Sequence, residues 1–266
     1  MHFSNYASVL AVMGNSQEAV AAADQALQLR KRHAPDDVYQ QAASWKTLGD
    51  VQNVAGDLAA SVTNYEKSLA ILAELPSPDT DARMMTIGVF GGLCKMLIMQ
   101  DHFARALQCA NDGLAYIEKH GDATLESDRV ILLIQKSVSQ RRLGRFDGVE
   151  ADMRQAIAIN ERLLGKDSLE IGVNYWQLGE ALNYIGHHAD ALEAYAHSEK
   201  ILRSRQAAPG QLANAYKGMG LAWQKQGNSQ KAIEYYRRAL ASLGDPGTPR
   251  LQKMKDKLLV ISDNKS

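Results

Sequence analysis

The chain has 266 residues, of which 45% are hydrophobic and 23% charged, enough to bury a substantial core in one repeat array or in two compact domains. Thirty Lys plus Arg balance thirty Asp plus Glu, so no global field directs the chain to nucleic acid or to anionic lipid. The N-terminus lacks a basic start and a cleavage site, and no apolar run approaches the roughly 18 residues of a transmembrane helix, which predicts a cytoplasmic protein.

The first predicted helical hairpin spans residues 1–32. Tyr6, Ala7 and Leu10 lie on one face of its leading helix, and Gly14 ends that helix before a second, alanine-rich helix. No capping segment precedes the leading helix, so its apolar end needs cover from further sequence or from a partner. We therefore expect the chain to be a fragment of a larger protein.

The second predicted hairpin, residues 37–75, shows the same order of residue types more fully. Trp45, Leu48 and Gly49 lie on one face of its leading helix, and Tyr65 stands between small residues on its second helix. An aromatic ring at that position fills the gap that the small residues leave. The spacing predicts two helices packed as a knob in a socket.

The third and fourth hairpins, residues 80–120 and 124–164, keep this register with less typical residues. The third has three glycines on one face of its leading helix, Gly88, Gly91 and Gly92. Each mid-helix glycine costs up to about 1 kcal/mol relative to alanine. Three explanations stay open: sequence drift, close packing against a neighbouring helix, or a smooth floor that lets a ligand approach.

The fifth hairpin, residues 168–204, carries the pattern most plainly. Tyr175, Leu178 and Gly179 share one face of its leading helix, and Tyr195 lies on its second helix. This order of types (aromatic, leucine, glycine, large apolar residue, turn glycine, alanine, tyrosine, small residue) resembles the tetratricopeptide repeat. The preceding residues, Arg-Leu-Leu-Gly-Lys-Asp-Ser-Leu-Glu-Ile, are similar to the longer kinesin-light-chain variety of that repeat.

The resemblance implies an all-α, right-handed α-solenoid of six hairpins, of which the sixth spans residues 209–244. The repeat is about eight residues longer than the common repeat of about 34, which lengthens its helices by roughly two turns. The small residue of each second helix recurs after 42, 45, 43, 42 and 41 residues, at Ala26, Ser68, Gly113, Ala156, Ser198 and Ala239.

Residues 246–266 break the repeat and are predicted to form a capping helix and a tail. Thr248 can cap a helix that begins at Pro249. The apolar residues of this helix fall on a single stripe, as the open end of a solenoid requires. The stripe consists of Leu251, Met254, Leu258 and Ile261.

No catalytic constellation is evident in the sequence, and we expect no cofactor and no bound metal. The glycine-rich stretch 88–92 follows no strand and lacks the Lys-Ser/Thr of a phosphate loop. His187 and His188 have no Cys or carboxylate at ligand spacing, which favours a solvated pair over a metal site. Cys94 and Cys109 each lie within a helical pattern, which favours two reduced core thiols. We expect a non-catalytic chain, although an enzyme domain upstream of Met1 is compatible with these residues.

The candidate binding surface is the polar face of the leading helices, which stacking would line up along a concave groove. Six cations and two anions are predicted there, with amide side chains and one Trp. The predicted groove residues are Lys46, Asp50, Asn53, Gly88, Gly91, Gly92, Lys95, Gln135, Arg141, Arg142, Trp176, Gln177, Glu180, Asn183, Asn214, Lys217, Gln224 and Lys225.

A cationic trough of this kind favours a protein or peptide partner, extended or helical, that carries acidic or carboxylate groups, rather than nucleic acid or a membrane. The alternative is that these charges lie on solvated helix faces and bind no ligand. The resemblance adds that chaperone-tail binding is disfavoured, because the Lys and Asn set of such arrays is missing from consecutive repeats. The preferred function is a protein-interaction scaffold. The second is a regulatory or sensor region of a larger bacterial signalling protein, such as a serine/threonine kinase or a transcriptional regulator.

Overall fold

The computed structural model describes residues 2–120, 123–244, 252 and 256. Over these residues the chain is all-α, with twelve α-helices, one 3-10 turn and no strand, which confirms the predicted fold class. The helices are α1 (His2–Val12), α2 (Ser16–His33), α3 (Val38–Ala55), α4 (Leu58–Ala73), α5 (Thr80–Met99), α6 (Phe103–His120), α7 (Glu126–Arg142), α8 (Val149–Leu164), α9 (Leu169–Ile185), α10 (His188–Ser204), α11 (Pro209–Lys225) and α12 (Ser229–Leu243).

The helix ends follow from local sequence. The carboxylate of Asp37 accepts a hydrogen bond from the Gln40 amide at 2.9 Å and so caps α3, and Asp57 caps α4 in the same way. Gly56 and Gly186 end α3 and α9 with φ of 83° and 91°, a left-handed conformation that favours glycine. These caps turn the chain back on itself between the two helices of a hairpin.

The chain divides into two compact units, residues 1–143 and 144–266. In the N-terminal unit, α1 packs on α2, α3 on α4 and α5 on α6, and α7 packs on both α5 and α6. In the C-terminal unit, α9 packs on α10 and α11 on α12, while α8 packs on α9. The repeat pattern in the sequence predicts one array over residues 1–245, and the boundary between the two units falls inside the fourth predicted hairpin, residues 124–164.

The first core of the N-terminal unit lies where α3 covers the first hairpin. Leu48 and Val51 of α3 are buried against Ala7, Ala19 and Leu27 of the first two helices. The small alanines let the helices approach closely, and each fully buried large apolar side chain contributes about 1.5 to 3 kcal/mol.

The outer face of α1 lacks the cover that α3 receives. Val9, which lies one 42-residue period before Val51, is 55% exposed, whereas Val51 is 1% exposed. Tyr6, Val12 and Met13 are exposed on the same helix. In the structure as described, the first hairpin therefore presents an open apolar end, as its sequence predicted.

Helix α5 corrects one expectation. It is long and apolar enough, by length and composition, to cross a membrane, although the sequence analysis expected no such run. In the structure it packs against α4, α6 and α7, and Ile87, Val89, Met96 and Leu97 are buried. Its apolar character is accounted for by this packing inside the N-terminal unit.

The predicted C-terminal stripe of Leu251, Met254, Leu258 and Ile261 lies outside the described residues. The capping helix therefore stays a prediction. The two cysteines, Cys94 and Cys109, are both buried.

Candidate functional site

The leading helices α3, α5 and α7 of the N-terminal unit lie side by side and form one surface, which we call the leading-helix face. Gly88 and Gly91 lie on it. The nearest side-chain atom to a Cβ built at Gly88 is Lys46 Cε at 3.9 Å, and at Gly91 it is Ile131 Cγ2 at 3.7 Å. Gln135 Nε2 donates a hydrogen bond to the Gly91 carbonyl at 2.9 Å. The two glycines thus form a floor between Lys46 on one side and Ile131 on the other.

Gly92 belongs to the core instead of this floor. A Cβ there would lie 2.9 Å from Cζ of Tyr65, whose ring also closes on Gly49 of the preceding leading helix. Tyr65 is therefore wedged between the second and third leading helices. Close packing explains Gly92, while Gly88 and Gly91 retain ordinary space above them.

Two predicted groove residues on α3 are engaged with each other. Lys46 Nζ lies 2.7 Å from Asp50 Oδ2, and the Tyr65 hydroxyl donates to Asp50 Oδ1 at 2.7 Å. Burial, and then the negative charge of Asp50, raises the pKa of Tyr65 above the ordinary tyrosine value. Asp50 therefore balances Lys46 and braces Tyr65. Asn53 lies half-buried near the end of the same helix.

The cations of α7 differ from the prediction of an open trough. Arg141 is only 6% exposed, and its Nε donates to the Ser137 carbonyl at 3.4 Å. Arg142 is exposed but lies 3.2 Å from Asp101 Oδ1 and stacks on the Phe103 ring. The cation excess counted from the sequence thus overstates the charge this surface presents, because one arginine is buried and the other is paired.

In the C-terminal unit the predicted residues on α9 are more enclosed than expected. Trp176 and Gln177 are half-buried, and Trp176 Nε1 and Gln177 Oε1 are shielded from water with no hydrogen-bond partner among the described residues. Glu180 is half-buried as well, as are Asn214 and Lys217 on α11.

Asn183 is buried and joins three helices. Its Nδ2 donates to the Tyr195 hydroxyl at 3.3 Å and to the Gly218 carbonyl at 3.1 Å, and its Oδ1 lies 3.1 Å from His188 Nδ1. Because the carbonyl of Gly218 can only accept, the amide orientation is fixed and His188 Nδ1 must carry the proton. Asn183 is therefore an internal brace as well as a wall of the neighbouring cleft. Gln224 has a similar role on α11, where it accepts from the Tyr236 hydroxyl at 2.9 Å.

A cleft of about 380 Å³ opens beside this brace. Of the predicted groove residues, it brings together Asn183 and Lys225. Its walls also contain side chains that the sequence analysis missed or took to be solvated. The full lining is Asn183, Tyr184, Gly186, His188, Leu221 and Lys225.

Tyr184 and Leu221 carry the signal that could have revealed this cleft. Both are large apolar residues at positions outside the core register of their leading helices, and Tyr184 is 53% exposed. His188 was interpreted as one of a solvated pair, but it begins α10 and bonds to Asn183. Among the described residues, no group of three or more His, Cys, Asp or Glu side chains is arranged to hold a metal.

Comparison with known proteins identifies the repeats. A family profile described as a tetratricopeptide repeat matches residues 1–74 and 128–204, and a second profile with the same description matches 213–241. A search of curated protein sequences finds no match.

Solved structures share the fold. BtubC (BKLC) from P. vanneervenii is 20% identical over 88% of this chain and 94% of its own, with a TM-score of 0.69. A Podospora anserina protein with nearly identical kinesin-light-chain TPR-like repeats is 17% identical over 77% of this chain and 95% of its own, with a TM-score of 0.63. YrrB, described as a TPR protein with an unusual peptide-binding site, is 16% identical over 87% of this chain and 98% of its own, with a TM-score of 0.53. At these identities the likeness shows the fold alone.

Proposed function

Because the chain belongs to the tetratricopeptide repeat family, we propose that it is a cytoplasmic, non-catalytic scaffold that binds a peptide or a partner helix. Repeat arrays of this kind offer extended surfaces and carry no inherent catalytic group. The peptide-binding site named for YrrB belongs to that protein, and it is consistent with the same use of the fold here.

The observation that carries the proposal is the glycine floor on the leading-helix face of the N-terminal unit. Met84, Gly88, Gly91 and Lys95 follow one another at helical spacing on α5, and the exposed side chain of Ile131 faces them from α7. Backbone that is bare of side chains lets a partner segment approach closely. The flexible side chain of Met84 at one edge can adapt to an apolar side chain of the partner, and Ile131 offers an apolar contact at the other edge.

The charge at this floor favours a partner segment that carries an acidic residue. Lys95 is exposed beside the glycines, whereas Lys46 is already balanced by Asp50. A carboxylate on the partner would therefore be steered to the Lys95 end of the floor. Apolar contact at Met84 and Ile131 would contribute most of the affinity.

Cross-linking capture from the native host's lysate tests this proposal. We expect the wild-type chain to capture a specific partner and Gly91→Leu to lose it, because the new side chain fills the floor. Gly91→Leu should fold, since a Cβ at that position meets only ordinary contacts. Ala104→Leu places a leucine on the exposed surface of α6 and is the control. A folded Gly91→Leu variant that captures the same partner would place the interface elsewhere.

A regulatory module is the second candidate function, and the open apolar face of α1 favours it. Tyr6 and Val9 are exposed, whereas the equivalent residues of α3, Leu48 and Val51, are buried against the first hairpin. A helical domain of the larger protein could dock on this face, and peptide binding to the repeats would then change how strongly that domain docks. Capture that is lost in a Val9→Asp variant and retained in Gly91→Leu would favour this role over the scaffold.

A further inference from the structure

We propose that the cleft of the C-terminal unit binds one residue pair of a partner peptide, in which an apolar side chain stands next to an aspartate or glutamate. This rests on the proposed function as a scaffold and adds the chemistry of one contact. The apolar side chain lies against Tyr184 and Leu221, and the carboxylate is held by Lys225.

The apolar part of the inference comes from two exposed side chains on neighbouring helices. Tyr184 lies in the last turn of α9 and Leu221 lies on α11, and both line the same cleft instead of the helix core. Large apolar side chains that share an open concavity favour an apolar ligand, because its binding removes them from water.

The charge of the cleft favours a carboxylate as the second group of the ligand, beside its apolar side chain. Among the described residues, the lining of the cleft holds one lysine, Lys225, and no carboxylate. The first residue of α10, His188, lies at the same mouth, so the positive end of that helix adds to the field of Lys225. An anion is therefore favoured, and a cation is disfavoured.

The polar groups of Asn183 are already in use. Both ends of its amide are bonded within the protein, to Tyr195, Gly218 and His188. His188 bonds to Asn183 through Nδ1 and is part of the lining of the cleft. Recognition of the ligand thus rests on Lys225 and the apolar walls, and it requires no rearrangement of the brace.

The size of the cleft limits the occupant to about two residues. Its 380 Å³ is near the lower end of the roughly 300 to 1,000 Å³ that small-ligand sites span. The cleft is open to solvent, so a longer chain can enter and leave on either side of the bound pair. We therefore assign it to an internal apolar–acidic pair of a partner peptide.

Nuclear magnetic resonance titration of the full chain with two dipeptides tests the assignment. The probe is N-acetyl-Leu-Asp-amide, and its matched control is the neutral isostere N-acetyl-Leu-Asn-amide. We expect the Leu221 methyl signals to shift with the aspartate probe at millimolar concentration, and the asparagine control to bind about fivefold more weakly, as an exposed ion pair allows. Lys225→Gln should remove that difference, while Lys200→Gln, an exposed lysine on α10, should retain it.

Two results would overturn the inference. One is equal affinity for the two dipeptides in the wild-type chain, which would show that Lys225 contributes nothing. The other is the lack of any shift at Leu221 at 10 millimolar probe. Because the dipeptides are tested without the natural partner, these outcomes are separate from a failure of the capture experiment on the leading-helix face.

Discussion

The ring of Tyr195 occupies the space that a side chain at Gly218 would need. The same ring closes on Gly179, where a Cβ would lie 2.6 Å from its Cε1. Tyr195 comes from the second helix of one hairpin, and Gly218 belongs to the leading helix of the next. Tyr65 repeats the arrangement in the N-terminal unit between Gly49 and Gly92. In each unit one pair of neighbouring hairpins is thus held together by one tyrosine between two glycines.

Gly218→Ala should destabilise the protein even though alanine is the better helix former. Helix propensity favours the substitution by about 1 kcal/mol, but a methyl group against the Tyr195 ring should cost about 1 to 3 kcal/mol. The matched control is Gly91→Ala, whose Cβ has ordinary space and which should stabilise by up to about 1 kcal/mol. Urea unfolding compares the two variants. A Gly218→Ala chain that is more stable than wild type would show that the Tyr195 ring can move to make room for a methyl group at position 218.

Tyr65→Phe should lower the free energy of unfolding at neutral pH. It should also make the decrease of that free energy between neutral and alkaline pH smaller than in the wild-type chain. The hydroxyl donates to Asp50, and its removal should cost about 0.5 to 1.5 kcal/mol. Because the pKa of Tyr65 is raised in the folded state, its contribution is full below the unfolded value of about 10 and is lost as the pH rises above it. Urea unfolding at about pH 8 and pH 10.5 measures both effects.

The control for this experiment is Tyr6→Phe, which changes an exposed tyrosine on α1. It should leave the free energy of unfolding at neutral pH within about 0.5 kcal/mol of the wild-type value. If the free energy of unfolding falls by the same amount in Tyr65→Phe as in wild type between the two pH values, the pKa of Tyr65 is not raised in the folded protein.

Val9 and Val51 offer a matched pair one repeat apart. Val51→Ala should cost about 1.5 to 3 kcal/mol, because that side chain is buried beneath the first hairpin. Val9→Ala should change the free energy of unfolding by less than about 0.5 kcal/mol, because its side chain is already in water. Equal losses would mean that something covers the outer face of α1 in solution.

Removal of residues 246–266 should lower the melting temperature or cause aggregation. The sequence predicts that the stripe beginning at Leu251 covers the end of the last hairpin. Differential scanning calorimetry with light scattering measures both effects. A truncated chain that melts like the full chain and stays monomeric would make this segment a tail.

The sequence predicted the repeated helices because their signals are local. Spacing on one face, turn glycines such as Gly56 and Gly186, and capping residues such as Asp57 act within a few residues of each other. The apolar end of α1 was predicted for the same reason. The recognised family was confirmed by the profile matches.

The candidate site was harder to predict because it depends on partners from other helices. Position on a leading helix did not reveal that Arg141 is buried, that Arg142 pairs with Asp101 of the preceding hairpin, or that Asn183 donates to the Gly218 carbonyl of the next hairpin. One of three equivalent-looking glycines, Gly92, is filled by a ring from the preceding hairpin. Such contacts span a repeat, so a helical-wheel count of charges overstated the open cationic surface.

The most direct test of the scaffold proposal is the affinity of the captured partner for three chains, measured by isothermal titration calorimetry at fixed salt. We expect Gly91→Leu to weaken binding at least about tenfold, or about 1.4 kcal/mol, and Ala104→Leu to bind like wild type. An unchanged affinity in a folded Gly91→Leu chain would contradict the proposal that the partner binds the glycine floor of the leading-helix face.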